Sequence, residues 1–427
     1  MLPRTRGTFL ASALTATLVG PLLAGPLLVS PAAAAPPRHI SYQQWDTPAQ
    51  LRTGTLSGVR VARGKLRISR PIGTVRYADP HGGATRTYSY GRWKSRWAAP
   101  GFGLTELVPS WNATTRGDAW VKVQVRGRSE QGGRSSWDTI ARWAPGDKRV
   151  RRTSLGLQND DLARVEVDTW KSNYSIELTS YQLRLTLFRK AGTRGTPFVD
   201  SVGAMSSNLP QVANVRRSRT GIANGLRLNV PRYSQMTHRG HYPKYGNGGE
   251  AWCSPTSTSM VLGYYDRLPA ASETSWVPKP HRNRYVDHAA RMTYDYAYRG
   301  TGNWSFNTAY AAPRADHAFV TRLRSLREAE RFIRAGIPVV ASVAFGRGEL
   351  DGAPISSTNG HLMVIRGFTR AGNVLVNDPA ARTNKGVRRT YDRRQFENAW
   401  VPKSGGLSYI IYTDQQKLPG RRGAKNW

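Results

Sequence analysis

The chain has 427 residues, 39% of them hydrophobic and 21% charged, a globular balance with length for two or three domains. Lys and Arg outnumber Asp and Glu by 63 to 27; the resulting formal charge of +36, spread along the whole length, favours anionic surroundings, although an Arg-favouring codon composition combined with solubility gives the same excess. A single cysteine, Cys253, excludes any disulfide within the chain.

The first residues carry Arg4 and Arg6, then an apolar run broken by Pro21 and Pro26, then small residues ending near Ala34 or Ala35. That layout predicts a secretory signal peptide over 1–35, removed by the general secretory route. No second apolar run of comparable length follows, so a secreted chain without a transmembrane segment is expected. Residues 36–59 are rich in Pro, Gln and Thr and read as a linker or an entering strand.

From 60 to 203 the pattern alternates with period two. Val121, Val123 and Val125 lie on one side of "AWVKVQVRG", and Leu183, Leu185 and Leu187 on one side of "YQLRLTLF"; "GKLRISR", "GTVRYAD" and "ARVEVDTW" fit the same mould. The reading is an all-β sandwich of jelly-roll kind, with little or no helix. It holds Trp93, Trp97, Trp111, Trp120, Trp137, Trp143 and Trp170, which fill a core or stack on ligands, and His81 as its only histidine. No Ser, His and carboxylate cluster stands out there, so it reads as a binding or spacer module.

A Ser-, Asn- and Arg-rich stretch, 204–222, is the expected linker. Over 223–415 helix and strand signals mix, and 416–427 forms a basic tail. In "SLREAERFIRAGIPVVASVAF" Ser325 and Glu328 form a capping box, Leu326, Phe332 and Ile333 the apolar helix face, and Gly336 the stop before a buried strand. Six of the eight histidines lie in this half, as does Cys253.

Within "WCSPTSTSMVLGYYD" Ser254 reads as an N-cap and Pro255 as the first helical residue, with Met260, Val261, Tyr264, Tyr265 and Leu268 at helical spacing. Cys253 then stands at the positive end of a helix, which favours a thiolate by about 0.3–1 kcal/mol. A nearby histidine would lower its pKa further. His361 opens an apolar run to Phe368; after the turn "TRAGN" a second run, Val374 to Asn377, ends at Asp378. Folded as an antiparallel hairpin, the two strands bring His361 beside Asp378, a base and its orienter. Gln235 is the candidate oxyanion donor and Asn247 its reserve. The H-x-x-H pair His238 and His241, and also His281 and His288, read as surface or substrate-contact residues; without an H-E-x-x-H or a cysteine pair no metal and no cofactor are expected.

"NVPRYSQ", "WCSPTSTSMVLGYYD", "GHLMVIRGF" and "VLVNDPA", in that order, resemble cysteine peptidase family thirty-nine, and more narrowly its stand-alone secreted actinobacterial branch, over roughly 225 to 415. The resemblance implies a papain-like α+β domain with nucleophile Cys253, base His361, orienter Asp378 and oxyanion donor Gln235, preceded by a β-sandwich. Ser254 stands where the family commonly has Gly, and the stretch between Gln235 and Cys253 is longer than usual. The function expected is hydrolysis of peptide or amide bonds through a thioester. A secreted glycan-binding protein with a degenerate peptidase fold and a peptidoglycan-cleaving Cys–His amidase are the other readings. Expected partners are a peptide or protein substrate and, through the basic surface and sandwich, anionic cell-wall polymers or glycans; no nucleic acid is expected, and the chain reads as a monomer.

Overall fold

The computed structural model describes residues 37–427 apart from 157, 174 and 175, so the expected signal peptide lies outside the described residues. The alternating segments form two antiparallel sheets. One runs Thr153–Ser154, Asp138–Trp143, Trp120–Ser129, Leu178–Lys190, Arg86–Lys94 and Thr55–Ser57, with Gly73–Tyr77 also paired to Arg86–Lys94. The other runs Ala163–Glu166, Thr169–Ser172, Glu106–Thr114, Phe198–Asn208, Lys65–Ile68 and Val59–Ala62, with His39–Trp45 also paired to Phe198–Asn208. Val121, Val123, Val125, Leu183, Leu185 and Leu187 are buried between the sheets, as their period-two spacing requires. Trp45 meets Trp93 at 5.6 Å and Trp111 meets Trp143 at 6.1 Å across the sandwich. Most of the tryptophans are therefore core, while Trp97 and Trp137 are half-buried.

Four details depart from the sequence expectation. The entering segment supplies strand His39–Trp45, adding His39 to the sandwich beside His81, and a short capped helix, Pro48–Arg52. "ARVEVDTW" is a hairpin rather than one strand, turning at Val167 with φ +56°, a conformation that a β-branched residue rarely adopts. The last sandwich strand continues through Asn208. The segment after it is pinned rather than loose: Glu397 accepts from Ser218 N at 2.8 Å, Glu330 accepts from Ile222 N at 2.7 Å, and Arg393 bonds the Ser218 and Arg219 carbonyls at 3.1 and 3.0 Å. Arg393 and Glu330 themselves form a fully buried ion pair at 2.7 Å. Such a pair is tolerable only when its spare donors and acceptors are satisfied, as they are here.

The second half builds an antiparallel sheet in the order His317–Arg322, Leu407–Tyr412, Val339–Phe345, Thr358–Phe368, Val374–Asn377 and Arg388–Tyr391. Helices Cys253–Tyr264, Arg284–Thr293, Trp304–Ala315, Leu326–Arg334 and Arg393–Ser404 accompany it. Leu326, Phe332 and Ile333 are buried and Gly336 (φ +76°) follows the helix end, but the capping box is not made. Glu328 instead accepts from Arg324 N at 2.8 Å and from Asn426 at 2.9 Å, because the chain end docks beside it. That tail is folded into the structure: Trp427 is buried against Phe332, and Lys425 O accepts from Tyr42 N at 2.6 Å. Among the described residues no helix is long and apolar enough to cross a membrane.

The two halves share one hydrophobic core. Tyr42 stacks on Phe319 at 4.4 Å, Trp111 meets Phe306 at 6.2 Å, and Arg322 pairs with Glu106 at 2.5 Å. Pro37–Trp427 is accordingly a single compact unit.

Candidate active site

The helix bearing the cysteine starts two residues earlier than its sequence predicts. Trp252 is its N-cap and Cys253 its first residue; the Trp252 carbonyl accepts from Thr256 N at 3.0 Å, which sets the first turn. Ser254 is therefore not the cap. Its hydroxyl, buried inside the turn, meets the Tyr409 hydroxyl at 2.9 Å, and Ser257 Oγ donates to the Leu362 carbonyl at 2.9 Å. These two bonds, with buried Met260 and Val261, fix the helix against the sheet next to His361. The approach through Gly248 and Gly249 is demanding. Gly248 has φ +94°, and a Cβ on Gly249 would lie 2.3 Å from the His238 carbonyl.

The hairpin forms in the expected sense, with strand Thr358–Phe368 pairing Val374–Asn377 and Val364 opposite Asn377. His361 Nε2–H donates to Asp378 Oδ1 at 2.8 Å, and both side chains are buried. Asp378 also accepts from Ala380 N at 2.9 Å and, through Oδ2, from the Tyr391 hydroxyl at 2.7 Å. With Nε2 committed to the carboxylate, Nδ1 is the ring nitrogen left facing the half-buried Cys253 thiol. Cys253, His361 and Asp378 thus come together, although 125 residues separate Cys253 from Asp378 in the sequence.

The electrostatics follow from this chain of contacts. Burial pushes the Cys253 thiol up, but the hydrogen bond and charge of His361, with the Leu362 and Ser254 backbone, outweigh it and leave the thiol below its ordinary value. Burial alone would lower His361, yet Asp378 and then Cys253 hold it well above the ordinary imidazole range. Asp378 is held down against its own burial by His361, Tyr391 and Ala380. These opposite shifts favour a thiolate–imidazolium pair, the reactive form of a cysteine nucleophile. The Cys253 backbone N–H, at the first helical position, has no intrahelical acceptor and is open to an oxyanion.

Cys253 opens on a cleft of about 540 Å³ walled by Asn247, Tyr298, Trp304, Asn359 and Lys403. A larger cavity of about 630 Å³ between the halves holds no cysteine and is lined by Asp147, Trp276, His288 and Arg291, with Arg291 paired to Asp147 at 2.8 Å. The predicted oxyanion donor Gln235 is buried, and its Nε2 donates one N–H to the Glu250 carbonyl at 2.6 Å; its Oε1 has no partner. Gln235 is not on the cleft wall, whereas the exposed reserve residue Asn247 is.

Of the four histidines expected as surface or substrate-contact residues, two are buried and two, His241 and His281, are half-buried. His238 and His288 are buried, His288 meeting the Tyr310 hydroxyl at 3.1 Å, and His281 stacks on His241 at 3.6 Å. Asp287, on the helix Arg284–Thr293, bonds His238 Nδ1 at 2.9 Å and His241 Nδ1 at 2.8 Å. Among the described residues these three form the one group whose donor atoms lie within 4.8 Å of one another, so they could hold a metal ion; the third donor is invisible in the H-x-x-H spacing.

Sequence reasoning misses Tyr391, Tyr409 and, apart from Asn247, the cleft wall. Tyr391 sits on the neighbouring strand Arg388–Tyr391, and nothing in its local spacing marks it. Trp304 N donates to Asp168, which lies in the tight hairpin of the sandwich, so the first half of the chain props one wall of the cleft.

The profile described as "Peptidase C39 N-terminal domain" matches residues 41–207, and that of the "Peptidase_C39 like family" matches residues 227–407. No curated protein matches the chain. Among solved structures, that of infectious bursal disease virus Gt strain shares 9% identity and a TM-score of 0.20, covering 44% of this chain and 36% of that one. The kappa-carrageenase of Pseudoalteromonas carrageenovora, solved with an oligotetrasaccharide, shares 12% identity and a TM-score of 0.21, covering 42% of this chain and 100% of that one. Scores this low carry no argument about fold or activity. The two profiles, covering the sandwich and the cysteine-bearing half in the order expected, place the chain in the actinobacterial branch of the peptidase C39 family.

Proposed function

We propose that the chain is an exported cysteine peptidase that hydrolyses a peptide or amide bond through a thioester, with a papain-like domain over 223–415 behind a jelly-roll sandwich. The observation that supports this best is the aligned Asp378, His361 and Cys253 set at the mouth of a cleft. In this reading the Cys253 thiolate attacks the scissile carbonyl. The Cys253 N–H and one side-chain amide hold the oxyanion: Gln235 just behind the cleft wall, through the N–H not given to Glu250, with Asn247 on the wall itself as the competing amide. The His361 imidazolium protonates the leaving amine, and the neutral ring then takes a proton from the water that cleaves the thioester. Asp378 keeps the ring oriented and stabilises its charged form. Residues 1–35 act as the export signal, and the substrate is a peptide or protein that fits the cleft.

Thiol reactivity and peptide hydrolysis test the reading together. Native protein should alkylate at Cys253 with iodoacetamide rapidly at pH 6, and alkylation should abolish hydrolysis in parallel. Modification only after denaturation would point instead to an inert thiol in a degenerate fold.

A further inference from the structure

The side of the sheet containing Trp120–Ser129 that faces away from the sandwich core carries charges the catalytic reading does not use. Lys122 lies opposite Arg142 on one neighbouring strand and Thr186 on the other, and Thr186 lies opposite Arg92. Adjacent strands are about 4.8 Å apart, so three cations stand in one row where like charges repel. Among the described residues none of the three has a carboxylate partner. Burial pushes Lys122 down to about 8, and Arg184, Arg142 and Arg92 push the same way.

Beside the row is an aromatic floor. Trp120 and Phe188 stack at 3.8 Å and 7°, Arg92 lies over Tyr90 at 4.9 Å, and Arg142 over Tyr77 at 5.3 Å. These six side chains and Lys122 line a cavity of about 310 Å³. Trp120 Nε1 and Arg92 Nε are buried there without a hydrogen-bond partner. A surface that keeps mutually repelling cations and unanswered donors around a cavity is stabilised by an anion placed among them. The volume suits one ring-sized unit. Phe188 already covers one face of Trp120, which disfavours the open stacking platforms that nucleic-acid bases use.

We propose that this cavity binds an anionic sugar unit of a glycan, its carboxylate or phosphate held by Arg92, Lys122 and Arg142 and its C–H face against the aromatic side chains. The site belongs to the sandwich and does not depend on the cysteine chemistry.

Calorimetry on the full chain tests it with four probes of equal length: oligogalacturonate, a hexose phosphodiester oligomer, a neutral oligosaccharide and an oligo-dT. One of the first two should bind, which identifies uronate or phosphate as the anion, and the neutral sugar should not. The double variant K122Q/R142Q should weaken binding by about tenfold or more and Arg92→Gln by less, while the distant control R347Q/R394Q stays within about twofold. Because the substitutions relieve repulsion, K122Q/R142Q should unfold at the wild-type temperature or above, which separates lost binding from lost fold. The proposal is overturned if neither anionic sugar binds, if oligo-dT binds as tightly, or if the distant control loses as much affinity as K122Q/R142Q.

Discussion

In the cleft, Asp378 faces His361 at 2.8 Å and His361 faces Cys253, so each ionised group is held by its neighbour. On the outer face of one sandwich sheet, Arg142 and Lys122 stand side by side with Arg92 in the same row beyond Thr186, and none has a carboxylate partner among the described residues. Both arrangements perturb titration, but for different reasons. The cleft stabilises charge from within and so is complete without a ligand, whereas the sandwich face leaves charge unanswered. The contrast teaches that a perturbed pKa marks chemistry when donor and acceptor are both built in, and marks recognition when one of them is absent.

The comparison breaks most severely at Cys253. Cys253→Ala should lower kcat by at least about 10⁴-fold on any peptide the wild type cleaves, while leaving the unfolding midpoint nearly unchanged. Retained turnover would end the peptidase reading. Asp378→Ala should cost about 3–5 kcal/mol in urea denaturation, because it strands buried His361 and the Tyr391 hydroxyl; a loss under about 1 kcal/mol would mean the pair is not the internally satisfied unit described. Gln235→Ala should lower kcat by about 10²–10³-fold with little change in KM, and Asn247→Ala by less than about tenfold; the reverse ranking would move the oxyanion role to Asn247.

Tyr391→Phe isolates a single contact and should cost about 1.5–3 kcal/mol, the loss of one hydrogen bond to a buried carboxylate, read from denaturant midpoints.

The pH profile sharpens the same contrast without mutation. Rate should rise as Cys253 ionises below the ordinary thiol range and fall as His361 loses its proton near about 10. Stability obeys the same signs. The His361 contribution is complete below its unfolded value of 6.5 and is lost as pH rises through about 10, because its folded value is raised. The Asp378 contribution is present above its unfolded value of 3.8 and is lost as pH falls through its depressed folded value. A single alkaline limb near the ordinary thiol pKa would show that the ion pair does not form.

Much of this was legible from local pattern. Period-two alternation marks Val121 to Val125 and Leu183 to Leu187 as inward faces, and helical spacing after Cys253 marks Met260 and Val261 as buried. Antiparallel return about a short turn brings His361 to Asp378, because register in a hairpin is set by turn length and apolar pattern. The cap expected at Ser254 and the side-chain bonds of the capping box at Ser325, which does hold the N-cap position, are not made, for a common reason. In each a partner distant in sequence takes part: Tyr409 draws in the Ser254 hydroxyl, and Asn426, together with the nearby Arg324 N–H, holds Glu328. The histidines were misplaced likewise, since Asp287 gathers His238 and His241 from a helix far along the chain.

By itself the sequence determined the two kinds of architecture, the position of the thiol at a helix start and the pairing of His361 with Asp378, because those rest on periodicity and short-range geometry. Tertiary structure decided what stands around them. It fused the halves through one core, set Asp168 under Trp304 as a prop for the cleft wall, and folded Trp427 against Phe332. It also lined up Arg142, Lys122 and Arg92 across three separated strands. Contacts of that kind depend on which strand lies beside which, and strand order is set by burying the largest apolar surface over the whole chain rather than by any local run of residues.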